Sequence, residues 1–128
     1  MRVIILLIFF SLPFSMLSQI DSLKSIWANS VYEDSVRLNA LNDVAWEFVY
    51  RSGDSMRYYG NLVKTESSRL NNKYWEAKAE NTLAVADYLE GEYKDALDHF
   101  NASNSLYQDI GNQEGSAAAT SNIGNIYN

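Results

Sequence analysis

Five carboxylates crowd one stretch of the chain: Asp87, Glu90, Glu92, Asp95 and Asp98. Paired carboxylates run hydrolytic chemistry when they face each other with pKa values driven apart. Here they straddle a corner at Gly91 and continue along a helix surface, so they read as a solvated acidic face. The ligand spacing of a calcium loop is missing. The only histidine, His99, has no serine or cysteine nucleophile motif beside it and reads as a surface or partner-contact residue, not a general base. One His and no Cys exclude disulfides, thiolate zinc, iron–sulfur clusters and His-pair metal sites. No glycine-rich phosphate loop occurs, and Asn101-Ala102-Ser103 is an N-glycan pattern that arises often by chance. These residues point away from catalysis, metals and cofactors, and toward binding.

The elements around them have the balance of one globular unit: 128 residues, 47% apolar and 20% charged. Asp and Glu number 16 against 10 Lys and Arg, a formal charge of −6. That balance disfavours nucleic acid, whose phosphates need basic side chains to displace their counterions. Residues 1–17 start with Arg2, run apolar from Val3 to Phe10, and break at Pro13. The run is shorter than the roughly 20 residues of a membrane span. A charged start and a short apolar core fit a secretory signal peptide over residues 1–18, with cleavage after Ser18 or Ser15, the alternative being an uncleaved anchor. The expectation is an exported protein, periplasmic or otherwise extracytoplasmic. It would touch a membrane only through that segment or through a span further along a longer chain.

Sliding the chain against itself by 40 aligns Ala77 with Ala117, Ala79 with Ala119, Leu83 with Ile123 and Ala84 with Gly124. An earlier match, Val44-Ala45 with Leu83-Ala84, needs 39, as if one residue were missing from the first inner turn. Each period holds two amphipathic helices. The spacing predicts helices over 35–51 (Leu38, Leu41, Ala45, Phe48 inward), 54–70, 73–89 and 93–109, and one from near Glu114 onward. Asp34 or Ser35, and Asp54-Ser55, stand where N-caps are wanted, and Gly53 where a helix ends with positive φ. Residues 21–29 form a short capping helix within a capping segment over 19–33.

Leu83-Ala84-x-x-Asp87-x-x-x-Gly91-x-Tyr93-x-x-Ala96-x-x-x-Phe100 and Ile123-Gly124-x-x-Tyr127 resemble the tetratricopeptide repeat (TPR) core. Small Ala84, Gly124 and Ala96 would let helices approach, and large Phe100 and Tyr127 would fill between them. The likeness covers residues 34–128 as two repeats and the start of a third. Its period of 40 exceeds the usual ~34, Asp87 stands where the family has Tyr, and Ser103 where it prefers Ala. The resemblance implies an all-α fold, an α-solenoid of antiparallel helix pairs. Longer-period variants are similar to the arrays that open bacterial signalling proteins outside the membrane.

By that resemblance, the first helix of each pair lines a concave, partner-binding face. It would carry Asn39, Asn42, Trp46, Val49 and Tyr50, then Lys78, Asn81, Val85, Tyr88 and Leu89, then Ser121 and Asn125. Aromatics bury apolar side chains while Asn amides serve a peptide backbone, so the expected partner is a protein or extended peptide. The implied function is a non-catalytic sensing segment of a larger signalling protein such as a sensor histidine kinase. The alternative is a free-standing periplasmic scaffold. Ile123, Ile126 and Tyr127 set up an apolar face with nothing after it, so a fragment that self-associates through its last repeat is expected.

Overall fold

The computed structural model describes the backbone of residues 2–128 and the side chains from Ser15 onward. Among the described residues it is all-helical: α1 (Arg2–Ala28), α2 (Asp34–Trp46), α3 (Gly53–Arg69), α4 (Lys73–Leu89), α5 (Tyr93–Asp109) and α6 (Gln113–Tyr127). The signal-peptide expectation falls chiefly on residues 1–14, whose side chains lie outside the described residues. Among the described residues no helix is long and apolar enough to cross a membrane. The short capping helix expected over 21–29 is the end of α1, not a separate element. Its Ile20 is buried, and Trp27 packs against Leu38, Leu41, Val63 and Trp75. Arg37 on α2 fastens this end, donating to the Trp27 carbonyl at 2.9 Å while its guanidinium lies 4.8 Å over the indole.

From α3 onward a helix begins every 20 residues, at Gly53, Lys73, Tyr93 and Gln113. Each of the three corners closes in the same way. Asn71, Gly91 and Gly111 take φ of 52°, 81° and 68°, the left-handed region that suits Gly and Asn. The next N–H then reaches back to the end of the finished helix: Asn72 to Ser67 O (2.8 Å), Glu92 to Asp87 O (2.9 Å), Asn112 to Tyr107 O (2.9 Å). Asn72 and Asn112 go on to cap the following helix, accepting from Trp75 N–H (3.1 Å) and Gly115 N–H (2.8 Å). Glu92, in the same position, makes no side-chain cap. The 40-residue period is therefore two similar halves.

The first corner differs. α2 was expected to reach residue 51 but ends at Trp46. Residues 47–51 turn tightly, through bonds such as Phe48 N–H to Ala45 O (3.1 Å) and Val49 N–H to Trp46 O (3.2 Å). Phe48 stacks on Tyr59 of α3 at 5.8 Å. Ser52 N–H reaches Phe48 O at 3.0 Å, four residues back where the other corners reach five. That missing residue is the slip from 40 to 39. Gly53 does not end α2 with positive φ; it is the first residue of α3, which Ser52 caps by accepting from Ser55 N–H at 3.1 Å. Asp34 and Asp54 likewise sit inside the first turns, paired to Arg37 and Arg57, where an acid suits the positive helix end.

Neighbouring helices run antiparallel: Lys73 at the start of α4 reaches Asp109 at the end of α5 (3.2 Å). The core forms where consecutive helices meet. Ala45, Met56 and Ala86 make one cluster, and Ala84, Ala96 and Phe100 another, with Ile123 and Ile126 of α6 against it. Ser103, a departure from the apolar pattern, is buried and donates to Ala77 O at 2.9 Å across the α4–α5 contact. The close approach expected at Gly124 is absent: a Cβ there would meet nothing within 4 Å. Close approaches between helices lie instead at Gly60, where a Cβ would come to 3.1 Å from Leu83, and at Gly115, where it would fall on the Tyr107 ring.

Candidate functional site

A groove of about 430 Å³ opens between the C-terminal parts of α2, α4 and α6. Trp46, Val49, Tyr50, Val85, Tyr88, Leu89 and Asn125 line it, all anticipated from sequence. Val49 and Tyr50 arrive from the turn after α2, not from the helix expected there. Phe100 and Asn122 also line the groove and were not anticipated. Phe100 was assigned to the core of α5, and it does both jobs. Asn122 has a legible signal, since it shares a helix face with Asn125 three residues on.

The remaining anticipated residues lie outside the groove or behind it. Asn42 is 8% exposed and accepts from Thr82 Oγ1 at 2.8 Å. Trp46 Nε1 donates to the same Thr82 hydroxyl at 3.2 Å. This chain pins α2 to α4 and fixes the indole, so Asn42 supports the groove without lining it. Asn81 accepts from Asn122 Nδ2 at 3.1 Å and ties α4 to α6. Lys78 lies 5.7 Å over the Tyr74 ring, Asn39 donates to Asp43 at 3.4 Å, and Ser121 is exposed.

Among the described residues no charged side chain lines the groove. Tyr50 is 86% exposed, while Trp46 and Tyr88 are each a little over a third exposed. Such a surface buries apolar side chains, and its amides and phenols can bond a peptide backbone at the margins.

Behind the groove, on the side of α4 that faces α3 and α5, lies a cluster of charges. Glu80 and Asp87, 5% and 6% exposed, stand seven residues apart on α4. Lys64 and Arg57, also seven apart, oppose them from α3. Lys64 Nζ meets Glu80 Oε1 at 2.7 Å, and Arg57 donates to Asp87 Oδ1 and Glu90 Oε2, each at 2.7 Å. His99 on α5 completes the cluster, with Nδ1 2.6 Å from Glu80 Oε2 and Nε2 3.6 Å from Asp87 Oδ2. Burial alone would raise the Glu80 carboxyl, but hydrogen bonds from His99 and Lys64 outweigh it and hold the group below 4.5. The Glu80 bond in turn raises the His99 imidazole above 6.5, against the opposing effect of burial.

The expectation of a solvated acidic face thus holds for Glu92, Asp95 and Asp98 but fails for Asp87. His99 is half-buried and internally paired, not a free surface residue. The correction has a simple cause: Glu80 and Asp87 lie on the α4 face that α5 covers, so they are buried with their counter-ions. Both ring nitrogens of His99 face carboxylates of α4, so the ring pairs charge between α5 and α4. Among the described residues no three His, Cys, Asp or Glu side chains converge to hold a metal ion.

Comparison of the chain with protein-family models, with curated proteins and with solved structures finds no match.

Proposed function

We propose that the chain is a non-catalytic, TPR-like binding module that takes an extended peptide segment of a partner protein into the α2–α4–α6 groove. The observation that carries the proposal is the convergence of Trp46, Tyr50, Tyr88 and Leu89, from separate parts of the chain, on one uncharged groove with a fixed indole. The antiparallel helices and the two-helix period support the solenoid part of the proposal. The composition of residues 1–18 and the likeness to long-period TPR arrays support an extracytoplasmic sensing segment of a larger signalling protein.

The test uses acetylated, amidated hexapeptides alternating Leu or Tyr with Ser, followed by Trp fluorescence and amide chemical shifts. Binding should perturb Tyr88, Leu89 and Asn125. Trp46→Ala combined with Tyr88→Ala should weaken it by about tenfold or more, as for aromatic anchors of other interfaces. Perturbation confined to the outer faces of α3 and α5, or affinity unchanged in the double variant, would overturn the proposal.

A second reading, a scaffold that assembles with other chains or itself, is favoured by α6. On α4, Ala77, Glu80, Ala84 and Asp87 form a row covered by α5. The same row on α6, forty residues later, is Ala117, Thr120, Gly124 and Tyr127, with Tyr127 72% exposed. Sedimentation that shows concentration-dependent association, abolished by Gly124→Lys, would support this alternative.

A further inference from the structure

We propose that His99 is a proton-operated latch that joins α5 to α4 and thereby sets the shape of the peptide groove. The proposal rests on the groove described above as the site it regulates. Its basis is that α4 and α5 each carry a latch residue and a groove residue close together. On α4, Glu80 and Asp87 face the latch, while Val85, Tyr88 and Leu89 face the groove. On α5, His99 is followed at once by Phe100, which lines the groove. A change in how His99 is held must pass directly to Phe100.

The charges around the ring favour its protonated form. From α4 come Glu80 at 2.6 Å and Asp87 at 3.6 Å. From α3 come Lys64 and Arg57, each already bound to one of those carboxylates at 2.7 Å, so the cluster is crowded with opposite charges in alternation. On α5 itself, Asp95 and Asp98 border the cavity beside the ring, and Lys94 pairs with Asp98 at 3.3 Å. α6, packed on another side of α5, has only Glu114 and Tyr127 as titratable groups, and neither bonds to His99. Protonated, the imidazolium donates to Glu80 and attracts Asp87, bridging two carboxylates seven residues apart. Neutral, it keeps at most one donated hydrogen bond and leaves Asp87 to Arg57 alone. The neutral state therefore loosens α5 against α4 where Phe100 enters the groove.

One histidine in 128 residues makes the test clean, because a single ring signal reports the latch. The full chain is titrated from pH 5.5 to 9 by NMR, recording the His99 ring with the Phe100, Tyr88 and Trp46 side chains. The expected result is one shared midpoint, above 6.5, at the ring and at the groove. Glu80→Gln should lower that midpoint, and His99→Gln should remove the transition at the groove. Groove signals that stay still while His99 titrates would overturn the proposal without needing any variant to fold.

The Leu-Ser hexapeptide is then titrated at pH 6 and pH 8.5. A severalfold difference in affinity, lost in His99→Gln, extends the latch to binding. No binding at either pH, with the groove signals still following His99, supports the latch and overturns only the choice of ligand.

Discussion

Gly115 and Gly124 lie on one helix and predict opposite outcomes on substitution. A Cβ at Gly115 would fall on the Tyr107 ring, which is buried and whose hydroxyl that burial pushes up to about 12. Overpacking costs about 1–3 kcal/mol, more than the roughly 0.5–1 kcal/mol that Ala gains over Gly in a helix. Gly115→Ala should therefore destabilise. Gly124→Ala meets nothing within 4 Å and should stabilise by about 0.5–1 kcal/mol. Urea unfolding of the two variants checks both signs. Tyr107 and Gly115 also exchange volumes with the residues forty positions earlier, Ser67 and Trp75, both buried. A repeat can thus keep its packing while swapping which helix supplies the bulk.

His99 and Glu80 give the residue scale a pH signature. The folded protein holds His99 above 6.5, so its contribution to stability is complete below that value and is lost as pH rises through the folded pKa. Glu80 is held below 4.5, so its contribution is present above that value and is lost as pH falls through its folded pKa. The melting temperature should be highest on the mildly acidic side of neutrality, between those two limits. His99→Gln should flatten the alkaline side and weaken the acid side as well, because the His99 hydrogen bond is the foremost of those that hold Glu80 down against burial. A melting temperature that climbs steadily from pH 6 to 9 would contradict the sign for His99, and one that does not fall as pH drops below 4.5 would contradict the sign for Glu80.

At the scale of elements, the corners can be improved by copying one another. Asn72 and Asn112 cap their helices and Glu92 does not. Glu92→Asn should raise stability by about 0.5–1 kcal/mol, whereas Asn72→Ala should lower it by about 1 kcal/mol. Chemical denaturation of the pair would measure the difference.

The same corners explain what sequence could and could not tell. Helices over 73–89 and 93–109 were read with the bounds the structure gives, because Asn71, Gly91 and Gly111 punctuate an apolar period. α2 was read five residues too long, because Phe48 continues that period although the chain has already turned. Seven of the nine groove-lining residues were anticipated, through the resemblance that puts the first helix of each pair on the concave face. The charge cluster was not. A sequence shows the sign of Glu80, Asp87, Arg57 and Lys64, but burial depends on which faces of three helices meet. Two like-charge pairs of opposite sign, Glu80 with Asp87 and Lys64 with Arg57, each seven residues apart, were the available signal.

Across the whole molecule, the row that α6 leaves uncovered sets the gradient of stability. Only Ala119 is buried on α6, against nine buried residues on α4. Hydrogen exchange should be faster in α6 than in α4, because local opening costs least where least is buried. Appending one designed helix that presents Ala-x-x-x-Phe to the α6 row should raise the melting temperature and slow exchange in α6. Exchange in α6 as slow as in α4 without that addition would show that the row is already satisfied.

The identical corners at Asn71, Gly91 and Gly111 also bear on how such a chain changes length. A segment of 20 residues starts and stops at the same backbone conformation, so copying or deleting a pair of them leaves every other helix in phase. An insertion of any other size must be absorbed as an irregular corner, and the turn after Trp46, one residue short, has the form of such a scar. Growth by whole units is cheap for this architecture, and growth by single residues leaves a mark.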